Sequence, residues 1–463
     1  MNGIRAISGS RGFKVFLLLV LVLLFLIPTG MIRNIIWERK IRSMEVEEEI
    51  LRSWGEEFVI QGPLLRIPCV ERKEIKTRTD KGEETKIQET AFYLWTVPKE
   101  LLGRTELGTE IKRRGIFSVP LFTGTVRLSG SFDSAVLEKE LLPGQTAFPE
   151  KAELVITLSS QRGIRGVTAA AWNAGALEFL PGDLGFAAGQ AGGIHAAAPQ
   201  KQGINSFDIV LAAQGGKSLG MVPVGEDSVF EVSADWPAPS FKGAYLPVSH
   251  NLSESGFSAR WEISHLSRNI PLAWKEGGTT GAENSPGNRI SFGANSFGVD
   301  FFKALDQYDV NTRAVKYALL FIVIPFLSFF LFEIFLRRNI HPVQYLLAGL
   351  GNAVFYLLLL SFSEHINFGA AYLVSAASVI ALTTFYSRSL LGAWGKSWIM
   401  GFIMLLCYSF LYFTLQSEDW ALLAGSVGTF SMVALVMFLT RKLDWGMKPA
   451  VPAPIPDDDS VSL

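Results

Sequence analysis

The residues best suited to proton chemistry stand side by side at Glu364 and His365, in LLLLSFSEHINF, Leu357–Phe368. A carboxylate beside an imidazole could relay a proton or orient a ligand, since His titrates nearest neutrality. The plainer reading is a polar stop where a leucine run leaves a bilayer. The remaining candidates are sparse. His195, His250, His265, His341 and His365 form no H-E-x-x-H or other compact ligand set, and His341 and His365 bracket one apolar run, too far apart to share a metal. GSVG, Gly425–Gly428, lacks the Lys-Ser/Thr of a phosphate loop and is not a G-x-S-x-G elbow. Its small residues suit close helix packing. Glu333 precedes Arg337 by four residues, the spacing of a helical ion pair. Gln344 and Asn352 are expected to join helices rather than hold a solute. No catalytic, cofactor-binding or metal-ligating residue is assigned, and no cofactor is expected.

Composition sets the frame for these side chains. The 463 residues carry 42 Lys and Arg against 43 Asp and Glu, a net charge of −1, which gives no reason to expect nucleic acid as a partner. The charge is segregated. Residues 37–115 are rich in Glu, Lys and Arg, whereas residues 314–440 hold few. That asymmetry reads as a water-exposed domain joined to a membrane domain. The two cysteines, Cys69 and Cys407, lie in different halves and are not expected to pair.

Six segments are long and apolar enough to cross a hydrocarbon core, which takes about 20 residues of helix. They are Val15–Ile32, Ala314–Leu336, Val343–Ser363, Phe368–Tyr386, Trp398–Leu415 and Ala421–Leu439. PTGMIR follows the first, with no small-x-small cleavage site, so it reads as an anchor rather than a removed signal peptide. Arg5, Arg11, Lys14, Arg337, Arg338, Arg388, Lys396, Arg441 and Lys442 fall on one side if the spans alternate. Positive charge marks the cytoplasmic side. Glu364 and His365 then sit at the outer end of the third span, at the interface, where charge is cheap.

Between the first two spans the pattern changes. WERKIRSMEVEEEILRSWG continues as a charged helix ending near Gly55. Beyond it, Val126, Leu128 and Phe132; Leu154, Ile156 and Leu158; Phe230, Val232, Ala234 and Trp236; and Phe257, Ala259, Trp261 and Ile263 alternate with polar residues. Period-2 patterning argues half-buried antiparallel strands. Asp80-Lys81-Gly82 and Gln214-Gly215-Gly216 read as turns, and 182–198 and 276–298 as long loops. DWPAPSFKGAYLP, Asp235–Pro247, reads as a rigid extended crossing packed on a sheet.

The expected architecture is an α-helical transmembrane domain of six spans, with a mostly-β extracytoplasmic domain, a sandwich or two linked sandwiches, inserted between spans one and two. The divisions are 1–14, a cytoplasmic N-terminus; 15–36, the first span; 37–312, the periplasmic β domain; 313–445, five further spans; and 446–463, a disordered cytoplasmic tail.

One resemblance adds to this reading. IPTGMIRNIIWER, VIQGPLLRIP, RGIRGV, GALEFLPG, DWPAPSFKGAYLP and SESGFSARWEISHLSRNIP occur in that order, followed by NTRAVKYALLFIVIPFLSFFLFE, HPVQYLLAGLGNAVFYLLLLSFSEHINF, LQSEDWALLAGS and TRKLDW. Together they resemble the CreD family of bacterial inner-membrane proteins, over nearly everything from the first span to Trp445. The resemblance implies a role in cell-envelope integrity and the envelope-stress and β-lactam responses. It carries no catalytic residue, substrate or cofactor. The expectation is a non-enzymatic binding, sensing or scaffold protein, whose partners are the lipid bilayer and an unidentified envelope protein or cell-wall component. A transporter or lipid-handling protein with a site between spans two to six is the alternative, and a membrane hydrolase using Glu364–His365 a third.

Overall fold

The computed structural model describes residues 11–79, 82–184, 192–277, 292–301, 307–336, 340–416 and 421–441. The chain divides into two compact units, Met1–Arg42 with Leu305–Leu463, and Ser43–Ala304.

The first unit is helical. Helices α1 (Arg11–Leu24) and α2 (Leu26–Trp54) follow one another almost without a break. The interruption falls at Phe25, one turn before Pro28, which has no N–H for the carbonyl of Leu24. Helix α3 (Ala135–Glu140) is a short piece of the second unit; α4 (Gln307–Lys316), α5 (Ala318–Leu336), α6 (Pro342–Ser363), α7 (Phe368–Leu391), α8 (Trp394–Gln416) and α9 (Ala421–Thr440) belong to the first. Among the described residues, five helices are long and apolar enough to cross a bilayer: Phe13–Trp54 and α5 to α8. Helix α9 is apolar over a shorter described stretch, Leu423–Phe438. The second apolar segment, read as starting at Ala314, is divided. Lys316 closes α4, and Tyr317 bonds back to the carbonyl of Ala314 before α5 begins.

Glycines set the closeness of these helices. A Cβ on Gly349 of α6 would lie 2.4 Å from the Phe25 ring and 2.8 Å from Phe326. Phe25 and Phe326 meet edge to face at 5.8 Å between ring centres, and both are buried. In the GSVG stretch, a Cβ on Gly428 would lie 2.4 Å from the Phe410 ring. The packing role read for that motif is present.

In the second unit, the charged helix expected after the first span is the later part of α2. It buries Leu51 against Val119 and Leu121, with Ile50 and Trp54 beside them. It ends at Gly55, whose φ is +128° and whose α-carbon faces Gly163 too closely for any side chain.

The rest of the unit is two sheets around one core. Ten strands among the described residues form the first sheet and eight form the second. Rings from the two sheets meet across the core: Phe122 against Phe301, and Phe230 and Trp261 against Phe297, each pair at 5.2 Å. The alternation of Phe230, Val232 and Ala234 and of Phe257, Ala259, Trp261 and Ile263 does mark buried faces, but the first of these strands ends at Ala234 and Trp236, beyond it, is half-buried.

Several details differ from expectation. The 153–158 strand is buried on both faces, because Val155 and Thr157 are covered as well as Leu154, Ile156 and Leu158. It is a central strand, flanked by Ile60–Arg66 and by Gly192–Ala197. Gly192–Ala197 is therefore strand, not loop, while 185–191 lie outside the described residues. Gln214–Gly216 ends a long strand, Ile204–Gly216, and the change of direction falls on Lys217, at φ +66°. In the 276–298 stretch, 278–291 lie outside the described residues and Phe297–Phe301 is a strand. Among the described residues two pairings are parallel, Phe58–Gln61 with Leu219–Val222 and Glu100–Leu107 with Asp227–Ala234. Strand patterning reports a wet face but not strand direction. The Asp80–Lys81 turn lies outside the described residues, although its flanking strands close in register at Thr79 and Gly82. DWPAPSFKGAYLP does pack on a sheet: Pro239–Gly243 pairs with Phe297–Phe301, and Trp236 stands edge-on to Phe301.

Candidate functional site

Glu364 and His365 part company in the folded chain. Glu364 caps the C-terminal end of α6, its side chain only 9% exposed. Its Oε1 accepts a hydrogen bond of 3.2 Å from the Tyr308 hydroxyl of α4, and the Arg39 guanidinium of α2 approaches to 3.8 Å. Asn311, one turn beyond Tyr308, donates to the Ser363 hydroxyl at 3.0 Å. Asp309 pairs with Lys40. Burial, together with the carboxylate of Glu364, pushes the Tyr308 hydroxyl up to about 12. A phenol so placed is a hydrogen-bond donor at any physiological pH. His365 is exposed, its Nδ1 3.1 Å from the carbonyl of Ser361 on its own helix. The acid–imidazole pair does not form a relay. Glu364 ties three helices together, so the surface-stop reading fits His365 alone.

A second carboxylate is treated the same way near the opposite end of α6. Glu333, 7% exposed, accepts from the Lys14 ammonium of α1 through Oε1 and from the Tyr345 hydroxyl at 2.9 Å through Oε2. The expected partner, Arg337, lies outside the described residues. Lys14 is 319 residues away along the chain, a pairing that local spacing cannot reveal. Gln344 does not join helices. With His341 it forms a capping box: His341 Nδ1 accepts from the Val343 N–H, and Gln344 accepts from the His341 N–H at 2.9 Å. His-Pro-Val-Gln is a legible variant of that motif, since the residue at the third position reaches back to the cap. Asn352 does act as helix glue, accepting from the Tyr408 hydroxyl of α8 at 3.0 Å.

The sheet unit carries the more open site. On the solvent side of the eight-stranded sheet, registers place Ser249, Arg260, Glu231, Arg104 and Arg127 in one row across five strands. Glu231 bridges two arginines, taking Arg260 at 2.6 Å on one oxygen and Arg104 at 3.1 Å on the other. These bonds hold its carboxyl below the usual range, Arg104 first. Arg127 grips Asp208 with two bonds of 2.8 and 2.6 Å. Arg104 and Arg127 face each other directly, a like-charge pairing that costs stability unless counter-charge is near. Two adjoining grooves, of about 390 and 310 Å³, share Arg104, Glu231 and Arg260; His250, Asn251 and Ser249 line the larger. Planar guanidinium forks match carboxylates and phosphates. In the sequence His250 shows only that it belongs to no metal-ligand spacing, and the arginine row is invisible, because it exists only once five strands are in register. Among the described residues, no three His, Cys, Asp or Glu side chains cluster in a way that could hold a metal ion.

The model of the CreD family, described as inner membrane protein CreD, matches residues 10–446. The chain belongs to the CreD family. It is 34% identical over 428 residues to the inner membrane protein CreD of Escherichia coli K12, covering 92% of this chain and 91% of that protein. A solved chain from Parabacteroides distasonis, described as a candidate protease, overlaps 46% of this chain and 45% of its own at 10% identity and a TM-score of 0.22, a likeness too low to carry an argument. As a CreD family member with a β-sheet unit and long apolar helices, this is a membrane protein.

Proposed function

We propose that this CreD family protein supports the cell envelope by binding rather than catalysis, through the charged open face of its eight-stranded sheet. In this reading six spans put both termini in the cytoplasm and the sheet unit in the periplasm, with an envelope protein or cell-wall component as partner. The observation that carries it is the row of Arg260, Arg104 and Arg127 around Glu231, lining two adjoining grooves on a solvent-facing sheet. A partner presenting carboxylates or phosphates would exchange into these exposed ion pairs at little cost, because surface pairs are worth only about 0–1 kcal/mol. Orientation is supported by the positive residues that alternate with the apolar segments.

The test is charge reversal. Arg104→Glu with Arg260→Glu, expressed in a strain lacking its CreD protein and placed under envelope stress, is expected to lose complementation at normal membrane abundance. Full complementation by the doubly reversed protein would refute binding through this face.

A further inference from the structure

A cavity of about 340 Å³ opens in the helical unit, walled by Phe13, Lys14, Leu17 and Leu18 of α1, by Glu333 of α5, and by Ile340, His341, Pro342 and Tyr345 where α6 begins. Its size falls within the range of small-molecule sites, about 300–1,000 Å³. The walls are of two kinds. Phe13, Leu17, Leu18, Ile340 and Pro342 are apolar, whereas Lys14, Glu333, His341 and the Tyr345 hydroxyl form a polar cluster.

The polar chemistry is that of a donor site. Glu333 has both oxygens engaged, one by Lys14 and one by Tyr345, so its charge is matched within the protein. It fixes the Lys14 ammonium, whose side chain keeps 25% exposure. His341 accepts the Val343 N–H on Nδ1. In the neutral ring this puts the proton on Nε2, which makes that nitrogen a donor. An ammonium and an imidazole N–H beside an apolar slot suit one amphipathic shape, an anionic oxygen acceptor carried on a hydrocarbon chain. The cavity lies near the start of α1, the end of α5 and the start of α6; α5, α6 and the joined Phe13–Trp54 stretch that α1 begins are apolar and of membrane-crossing length. Such ends lie at headgroup depth, where lysine on an apolar helix meets phosphate.

We propose that this cavity seats an anionic glycerophospholipid in preference to a zwitterionic one, with an acyl chain along Phe13, Leu17, Leu18 and Ile340 and the phosphodiester against Lys14 and His341. The inference is independent of what the sheet unit binds.

The full chain in phosphatidylcholine nanodiscs, with a small fraction of phosphatidylglycerol bearing a diazirine near its headgroup, tests it. After photolysis, adducts on peptides containing residues 13–18 and 340–345 are expected to exceed those on the other spans about tenfold, a difference of about 1.4 kcal/mol in occupancy. Unlabelled phosphatidylglycerol should compete, and soluble glycerol phosphate should not. Leu17→Trp, which fills the slot, should abolish the excess, while Leu373→Trp, at an exposed position of α7, should leave it. Even labelling of all spans of the wild-type protein would overturn the proposal without any variant. So would equal competition by glycerol phosphate, which would indicate a plain anion site, or undiminished local labelling in a well-folded Leu17→Trp protein.

Discussion

Single carboxylates decide how this membrane unit is fastened. Glu364 and Glu333 are each mostly covered, and each is held by one tyrosine hydroxyl and one cation from a helix early in the chain. Removing one partner of a buried hydrogen bond leaves the other to bear its desolvation, about 1–3 kcal/mol. Tyr308→Phe and Glu364→Leu should each lower the melting temperature of the purified protein. The double variant should lose less than the sum, with a coupling of about 1 kcal/mol in a double-mutant cycle. Strict additivity would mean that the 3.2 Å contact contributes nothing. His365→Asn should be silent, since that ring is exposed and, among the described residues, bonds to its own helix. On the sheet, Glu231 has its pKa lowered chiefly by Arg104. A lowered carboxylate adds stability that is present above its unfolded pKa, near 4.5, and is lost as pH falls through the folded value. Glu231→Gln should therefore lower the neutral plateau of the stability curve slightly, flatten its acid limb below about pH 4.5, and converge with the parent protein at still lower pH.

At the scale of elements, the sequence reveals what is periodic and local. The apolar helices, the charged helix ending at Gly55 and the alternating strands around Phe230 and Trp261 are all legible. Three kinds of feature are not. A strand buried on both faces loses its alternation, so Glu153–Leu158 reads as half-wet until its two neighbours are seen. A carboxylate's partner can stand 319 residues away, as Lys14 does from Glu333. The arginine row needs the register of five strands. Close helix packing is legible only as small residues, without showing which of them matter, and Gly349 and Gly351 make the distinction testable. A methyl group on Gly349 would meet Phe25 at 2.4 Å, while on Gly351 it would meet only Leu382, at 3.6 Å. Both changes gain about 1 kcal/mol of helix propensity. Gly349→Ala should nevertheless destabilise the helical unit, since overpacking costs about 1–3 kcal/mol, whereas Gly351→Ala should be neutral or stabilising. Thermal unfolding in one detergent compares them, and equal behaviour would show that α6 and Phe25 can shift apart freely.

For the whole molecule, the decisive question is on which side of the membrane each part lies, and the native cysteines make it answerable. Cys69 is 1% exposed, and burial pushes its thiol up to about 11, so almost none is thiolate at neutral pH. Cys407 sits within α8. Neither should react appreciably with a membrane-impermeant maleimide, which leaves a clean background for introduced cysteines. The proposed orientation follows from the positive residues beside α1, α5, α7 and α9, all on one side if the apolar helices alternate. It depends on α9 crossing, and α9 is the helix with the shortest described apolar stretch. If α9 spans, Ser460 is cytoplasmic; if it lies along the interface instead, Ser460 is on the outer side with Asn251. A cysteine at Asn251, exposed on an edge strand of the eight-stranded sheet, should label in intact spheroplasts, and a cysteine at Ser460 only after lysis. Labelling of both in intact cells would reduce the spans to five and move the C-terminus outside, while leaving the sheet unit where it was proposed. Labelling of Ser460 alone would invert the whole protein, and the arginine row would then face cytoplasmic partners.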